Sequence, residues 1–354
     1  MVMSKKIEFS IRFLSVFGFC LLGIVLSGCA KESADDGVGV SAGNRAQSIS
    51  FDELSCPIGP EVPAPKPSRF HQLEVPYMVY TAAGDQHNLK MWFSCGVPAF
   101  KLYVSFYGKD PDVQNELEDI VGSQNGLFES NMQGFKDNMF YAGWKISKNS
   151  THPYHVRYRR FFHGVKYFTL VDDDLTFSAN KFNLFFLVNT QMNLCYSSAS
   201  LTPGLATTWV SNQHVSESLF RAGAFVETGL KTFRRDCLDA FMESYFPELL
   251  GWGAEHVAFS VLLDQGFLNE TNHGVVDVVE VSNPPVRSNG KREQSLVGSG
   301  EAEYEAFLKS HPGIVNERYI ASKYSPWRSV GYCDTKIPIP SWVQDQLNQS
   351  HCSE

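Results

Sequence analysis

The chain has no C-x-x-C pair, and none of its histidines is spaced near a cysteine as a zinc site requires. It also lacks G-x-S-x-G and H-E-x-x-H, which removes two hydrolase signatures. A glycosidase-like pair can always be picked from 38 acids, and the separation that would decide it is not in the sequence. No internal repeat is present. Basic residues are in deficit, with 30 Lys and Arg against 38 Asp and Glu, a net charge of −8 and a pI near 5.7. The Lys and Arg residues read as scattered, so no nucleic-acid partner is expected. What is abundant is apolar: 43% of the 354 residues are hydrophobic and 13% aromatic, ample for a core without metal or disulfide staples.

Residues 1–29 have the three parts of an export signal: Lys5, Lys6 and Arg12, an apolar run from Phe13 to Leu26, then Leu26-Ser27-Gly28-Cys29. The last four residues resemble the bacterial lipobox, which implies lipidation of Cys29. Ala30 and Lys31 after it imply the outer membrane. The alternative is an uncleaved type II anchor with the domain in a Golgi-type lumen, since Phe13 to Ala30 is long enough to span a bilayer. Either reading places the domain outside the cytosol. Residues 30–72, rich in Ser, Gly and Pro, cannot form a core and read as a stalk. Six further cysteines, Cys56, Cys95, Cys195, Cys237, Cys333 and Cys352, permit up to three disulfides with the pairing left open.

From residue 73 to 354 the pattern is one α/β domain. Strands are expected at 75–82, 100–107 and 127–129, and helices at 85–95, 112–121 and 134–146. A fourth strand, from Tyr167, ends in Asp172, Asp173 and Asp174. Beyond it 184–188 reads as buried, 193–200 as strand or loop, and 222–232 as strand and turn. Helices follow at 235–246 and, after Gly251–His256, through Val257, Ala258, Val261 and Leu262, then a last strand at 275–281 and a helix at 301–308. The alternation predicts a mixed, mainly parallel sheet flanked by helices.

Alternation along a strand would aim Asp172 and Asp174 the same way, about 6.6 Å apart, a spacing that invites a cation. The bland reading is an acidic turn after a strand. Further on, Gly251-Trp252-Gly253-Ala254-Glu255-His256 opens a helix. Glu255 is favoured there by the helix dipole alone. The glycines, however, allow close backbone approach, and Trp252 offers a flat face to a sugar ring.

Four pieces in this order resemble the GT-A class of glycosyltransferases, closest to an uncharacterised domain family of plants and bacteria: Val171-Asp172-Asp173-Asp174-Leu175, Phe225-Val226-Glu227, Gly251-Trp252-Gly253-Ala254-Glu255 and Gly274-Val275-Val276-Asp277. The resemblance covers residues 75 to about 290 and implies a GT-A-like fold and transfer of a sugar from a nucleotide-sugar donor to a glycan or glycoconjugate. It implies that Tyr80, Thr81, Ala82 and Asp172 bind the donor. Asp172 and Asp174 would hold Mn²⁺ or Mg²⁺, and Glu255 would orient or deprotonate the acceptor. Trp252, Gly253, His256 and Glu227 would line the acceptor side. Relatives carry a His after the last strand where this chain has Asn283, whose oxygen can also ligate a hard cation. The competing reading is a catalytically inactive, carbohydrate-binding surface lipoprotein that keeps the fold.

Overall fold

The structure is a computed structural model describing residues 75–312, apart from 125, 133, 204–209, 217, 225, 228, 248–252 and 284–299, together with 328–330. The segments expected as export signal and stalk, with Cys29, and Trp252 lie outside the described residues. Among the described residues no helix is long and apolar enough to cross a membrane.

The first half is built of β1 (Tyr77–Ala83), β2 (Lys101–Phe106), β3 (Leu127–Glu129) and β4 (Tyr167–Val171), paired in parallel in the order β3-β2-β1-β4. β1, β2 and β4 are almost wholly buried, as strands covered on both faces must be, which explains their continuous apolar runs. Between the strands lie α1 (Leu89–Trp92), α2 (Pro111–Ser123), α3 (Lys136–Lys148) and α4 (His155–Phe162). Asp110 caps α2 through the Asp112 amide, and Pro111 opens it. α4, which has no counterpart in the sequence reading, buries His155, Tyr158 and Phe162 along one stripe.

The second half comprises α5 (Ala179–Gln191), β5 (Tyr196–Leu201), β6 (Phe220–Ala222), β7 (Leu230–Arg234), α6 (Arg235–Glu243), α7 (Ala254–Asp264), β8 (His273–Val281), α8 (Gly300–Ser310) and β9 (Arg328–Val330). The nine strands form one sheet, β3-β2-β1-β4-β7-β5-β8-β6-β9, in which β7 lies antiparallel between β4 and β5. Only β6 and β7 run against the rest, so the sheet is mixed and mostly parallel. The stretch expected as one strand and turn at 222–232 is two strands in different parts of the sheet. β8 is not the last strand, since β9 follows it. The patch at 184–188 belongs to α5.

Two apolar layers cover the sheet. One packs α3, α4, α6 and α7 on Met78, Tyr80, Phe168, Leu170 and Phe233. The other packs α1, α2 and α5 on Val79, Val104, Val171 and Leu230. A disulfide joins Cys195, just before β5, to Cys237 in α6, and Cys95 is disulfide-bonded to a cysteine outside the described residues. Asp277 of the Gly274-Val275-Val276-Asp277 stretch is fully buried against Arg221, with Nε–Oδ2 at 2.7 Å and Nη2–Oδ1 at 2.9 Å. Arg221 also donates to the Ser211 and Gln213 carbonyls, so this pair holds the 211–215 segment to the sheet.

Candidate active site

The chain runs outward from β1 through β2 to β3, then returns to place β4 on the other side of β1. Ligands of open α/β sheets bind outside the carboxyl ends of strands at such a reversal. The three acids stand there. β4 ends at Val171, and Asp172–Asp174 form a turn closed by the Leu175 amide on the Asp172 carbonyl at 3.3 Å. The strand alternation expected of Asp172 and Asp174 therefore does not apply, because the backbone has left the sheet.

The turn is fixed from several sides. The Gly84 amide donates to Asp173 Oδ2 at 2.8 Å. The Asn88 amide donates to the Asp173 carbonyl at 2.7 Å, and its side chain donates to the Asp174 carbonyl. Trp92 Nε1 donates to the Leu175 carbonyl at 2.8 Å. The Thr176 amide meets the Ser282 carbonyl at 3.0 Å, which brings the neighbouring, buried Asn283 to this end of the sheet.

Two oppositely charged neighbours at the start of α3 tie the site together. Lys136 Nζ lies 2.5 Å from Asp172 Oδ1, and Asp137 Oδ2 lies 2.5 Å from Lys231 Nζ. Lys231 sits in β7 opposite Leu170, which in turn pairs with Tyr80, so a lysine occupies a row of core residues at 0% exposure. Neither Lys136, Asp137 nor Lys231 was singled out in the sequence. The available signal was a lysine inside the apolar run Leu230-Lys231-Thr232-Phe233.

Glu255 lies in the first turn of α7, and its Oε2 is buried with no hydrogen-bond partner among the described residues. Burial pushes its carboxyl up to about 7; the Lys231 charge and its own backbone amide pull it back, and Asp137 and Glu227 add to the rise. Those couplings place Lys231, Asp137 and Glu227 around Glu255. Glu227 is in turn two residues from Gly229, whose carbonyl accepts the Asp172 amide at 2.8 Å. The loop before β7 thus connects the acidic turn to Glu255. His256 Nε2 lies 3.8 Å from Glu255 Oε1, and its ring stacks on Tyr304 of α8.

Gly253, at φ +80°, is explained within the chain: a Cβ there would meet the Tyr304 ring at 2.1 Å. Tyr80 was expected at the donor base but is fully buried, its ring between Tyr103 and Phe140. Thr81 is fully buried as well and Ala82 nearly so; the strand continues to Ala83, and the residue that touches the acidic turn is Gly84.

No sequence family and no curated protein matches the chain. Solved structures do. Staphylococcus aureus TarS is 10% identical with a TM-score of 0.38, the match covering 62% of this chain and 38% of TarS. Glucosyl-3-phosphoglycerate synthase from Mycobacterium tuberculosis, solved with Mg²⁺ and uridine diphosphate, is 12% identical with a TM-score of 0.39, covering 67% and 82%. The mannosyltransferase PcManGT from Pyrobaculum calidifontis, solved with GDP-Man and Mn²⁺, is 11% identical with a TM-score of 0.38, covering 78% and 76%. The chain spans less than half the length of TarS.

The donor chemistry around the acidic turn, carboxylates and an amide oxygen, fits a hard divalent cation. Among the described residues no three His, Cys, Asp or Glu side chains converge to hold one.

Proposed function

We propose that this chain is a glycosyltransferase that moves a sugar from a nucleotide-sugar donor to a glycan or glycoconjugate. The observation that carries the reading is the pairing, at one strand-order reversal, of a braced acidic turn with a buried carboxylate on a helix N-terminus, one of whose oxygens has no hydrogen-bond partner among the described residues. The donor lies in the crevice beyond β1 and β4. Asp172, Asp174 and Asn283 would hold Mn²⁺ or Mg²⁺. A cation held there would offset charge on the leaving nucleoside diphosphate.

Lys136, already at this turn, supplies a second positive charge to the diphosphate. For an inverting transfer the acceptor hydroxyl oxygen bonds to the anomeric carbon as the bond from that carbon to the phosphate oxygen breaks. The hydroxyl proton passes to Glu255, which is ionised above about pH 7. Glu227, His256 and Trp252 belong to the acceptor side. An N-terminal lipid on Cys29, or an anchor helix, tethers the enzyme to a membrane with the domain outside the cytosol, at the outer membrane in preference to a Golgi lumen.

The test is thermal unfolding of the full chain with nucleoside diphosphates and nucleotide sugars, with and without Mn²⁺. A ligand at 100 times its Kd adds about 2.7 kcal/mol. One nucleotide that stabilises only with Mn²⁺ supports the reading; a folded sample that no nucleotide shifts overturns it. The Lys136 ammonium on Asp172 favours a second reading, a carbohydrate-binding protein without turnover, in which lysine neutralises the turn permanently. Glycan affinity that survives Asp174→Ala, with no sugar transfer by the parent chain, would select it.

A further inference from the structure

No Asp or Glu occurs between Asp137 and Asp172, in a chain whose net charge is −8. This acid-free stretch contains α4, and the fold turns its basic residues outward. Arg157, Arg159, Arg160 and His163 are exposed, while His155, Tyr158 and Phe162 face the core. The expectation of scattered basic residues fails here: Arg157, Arg159 and Arg160 are clustered in the sequence itself, and α4 turns them outward while burying Tyr158 between them. Neither Arg159 nor Arg160 has an ion pair among the described residues. With His155, Val156 and His163 they line a shallow cavity of about 350 Å³.

Two more observations fall in the same place. Tyr154 is 61% exposed and Val156 75%, two of the three large hydrophobics exposed among the described residues. α4 also ends where the chain enters the domain: the Lys166 and Tyr167 amides both donate to the Pro76 carbonyl, at 2.7 and 3.0 Å. Lys101, at the start of β2, donates to the Phe161 and His163 carbonyls at 3.1 and 3.2 Å. The face therefore lies at the amino ends of β1, β2 and β4, away from the acidic turn at their carboxyl ends.

We infer that α4 and the turn before it form a docking surface for an anionic phospholipid bilayer. Exposed arginines beside an exposed tyrosine and valine suit the headgroup boundary, where cations meet lipid phosphates and apolar tips enter the acyl margin. A soluble polyanion would use the arginines and leave Tyr154 and Val156 in water. The inference does not depend on the transferase reading.

Hydroxyl-radical footprinting of the full chain, read at Tyr154 and Val156, tests it. The chain is compared on phosphatidylcholine vesicles, on vesicles that also contain phosphatidylglycerol, and with inorganic polyphosphate in solution. Protection on the phosphatidylglycerol vesicles alone, reversed by salt, is the expected result. Arg159→Glu with Arg160→Glu should weaken binding to those vesicles by at least about 25-fold, the loss of two arginine charges at near fivefold each being the lower bound for a reversal of both. Should that pair fail to fold, Arg159→Gln with Arg160→Gln serves, and the salt series needs no variant. Equal protection on both vesicle types would mean that the N-terminal segment acts alone and overturns the inference. Protection by polyphosphate without lipid would assign the face to a soluble polyanion and overturn it too, as would no protection anywhere.

Discussion

The two ends of the sheet carry opposite charge and are built by opposite means. At the carboxyl ends, charges are paired and braced: Asp172 with Lys136, Asp137 with Lys231, and Asp173 on the Gly84 amide. At the amino ends, α4 leaves its arginines in solvent with apolar neighbours beside them. A site that performs chemistry needs charges fixed before the substrate arrives. A surface that meets a fluid partner needs only net charge and reach. The contrast is consistent with the two proposals, chemistry at the first end and contact at the second.

The largest effect that would break this contrast is at Glu255. Glu255→Gln should lower turnover by about 10²- to 10⁴-fold, measured as release of nucleoside diphosphate from the preferred donor. A wild-type rate would move the base elsewhere.

The same variant carries a stability signature. A carboxyl raised in the folded state from its usual 4.5 to about 7 contributes stability that is complete below pH 4.5 and lost as pH rises through 7. The stability of Glu255→Gln relative to the parent should therefore grow by about 3 kcal/mol between pH 4 and pH 8. Urea titrations at both pH values read it, and a constant difference would contradict it.

Next in size is Asp174→Ala, which should weaken Mn²⁺-dependent nucleotide binding by at least about tenfold in calorimetry. Smaller still is Lys231→Met. Removing the cation that draws the Glu255 carboxyl down should move the acid limb of the kcat/KM profile above pH 7, a direction that loss of packing alone would not produce. Smallest is the basic end, where Arg159→Gln with Arg160→Gln should leave turnover on soluble acceptors unchanged. If it fell as at Glu255, the division between the two ends would collapse.

The sequence was most legible where one local pattern decides the structure. β3 matches its expected range of 127–129, β1, β2 and β4 lie close to theirs, α6 starts at the expected Arg235, and α7, from Ala254, takes in the expected apolar helix through Val257 and Leu262. Each has an unambiguous apolar period and a clear stop. What stayed hidden depends on distant segments. α5 is buried on several sides, so its period blurs into a general apolar run. β6 and β7 are short, and only their partners β8, β4 and β5 show that they are separate strands. The acids of the site stood out because charge after a buried strand is conspicuous. Lys136 and Asp137 did not, since at a helix start they look like ordinary solvated residues. Only the fold shows that one reaches Asp172 and the other Lys231.

The place of β7 bears on how the chain reaches its final form. It comes from residues 230–234, yet it separates β4 from β5, which would otherwise be neighbours. Until about residue 234 is available, β4 and β5 each present an open edge, and the two halves of the sheet cannot join. Closing that gap is a long-range step, and such steps are slow and leave strand edges exposed to other chains. The strand that carries Lys231 to Asp137 and Glu255 is also the one that seals the sheet. Assembly of the charged cluster and closure of the most vulnerable edges are therefore one event, and a chain halted short of it would both lack the candidate site and be prone to aggregate.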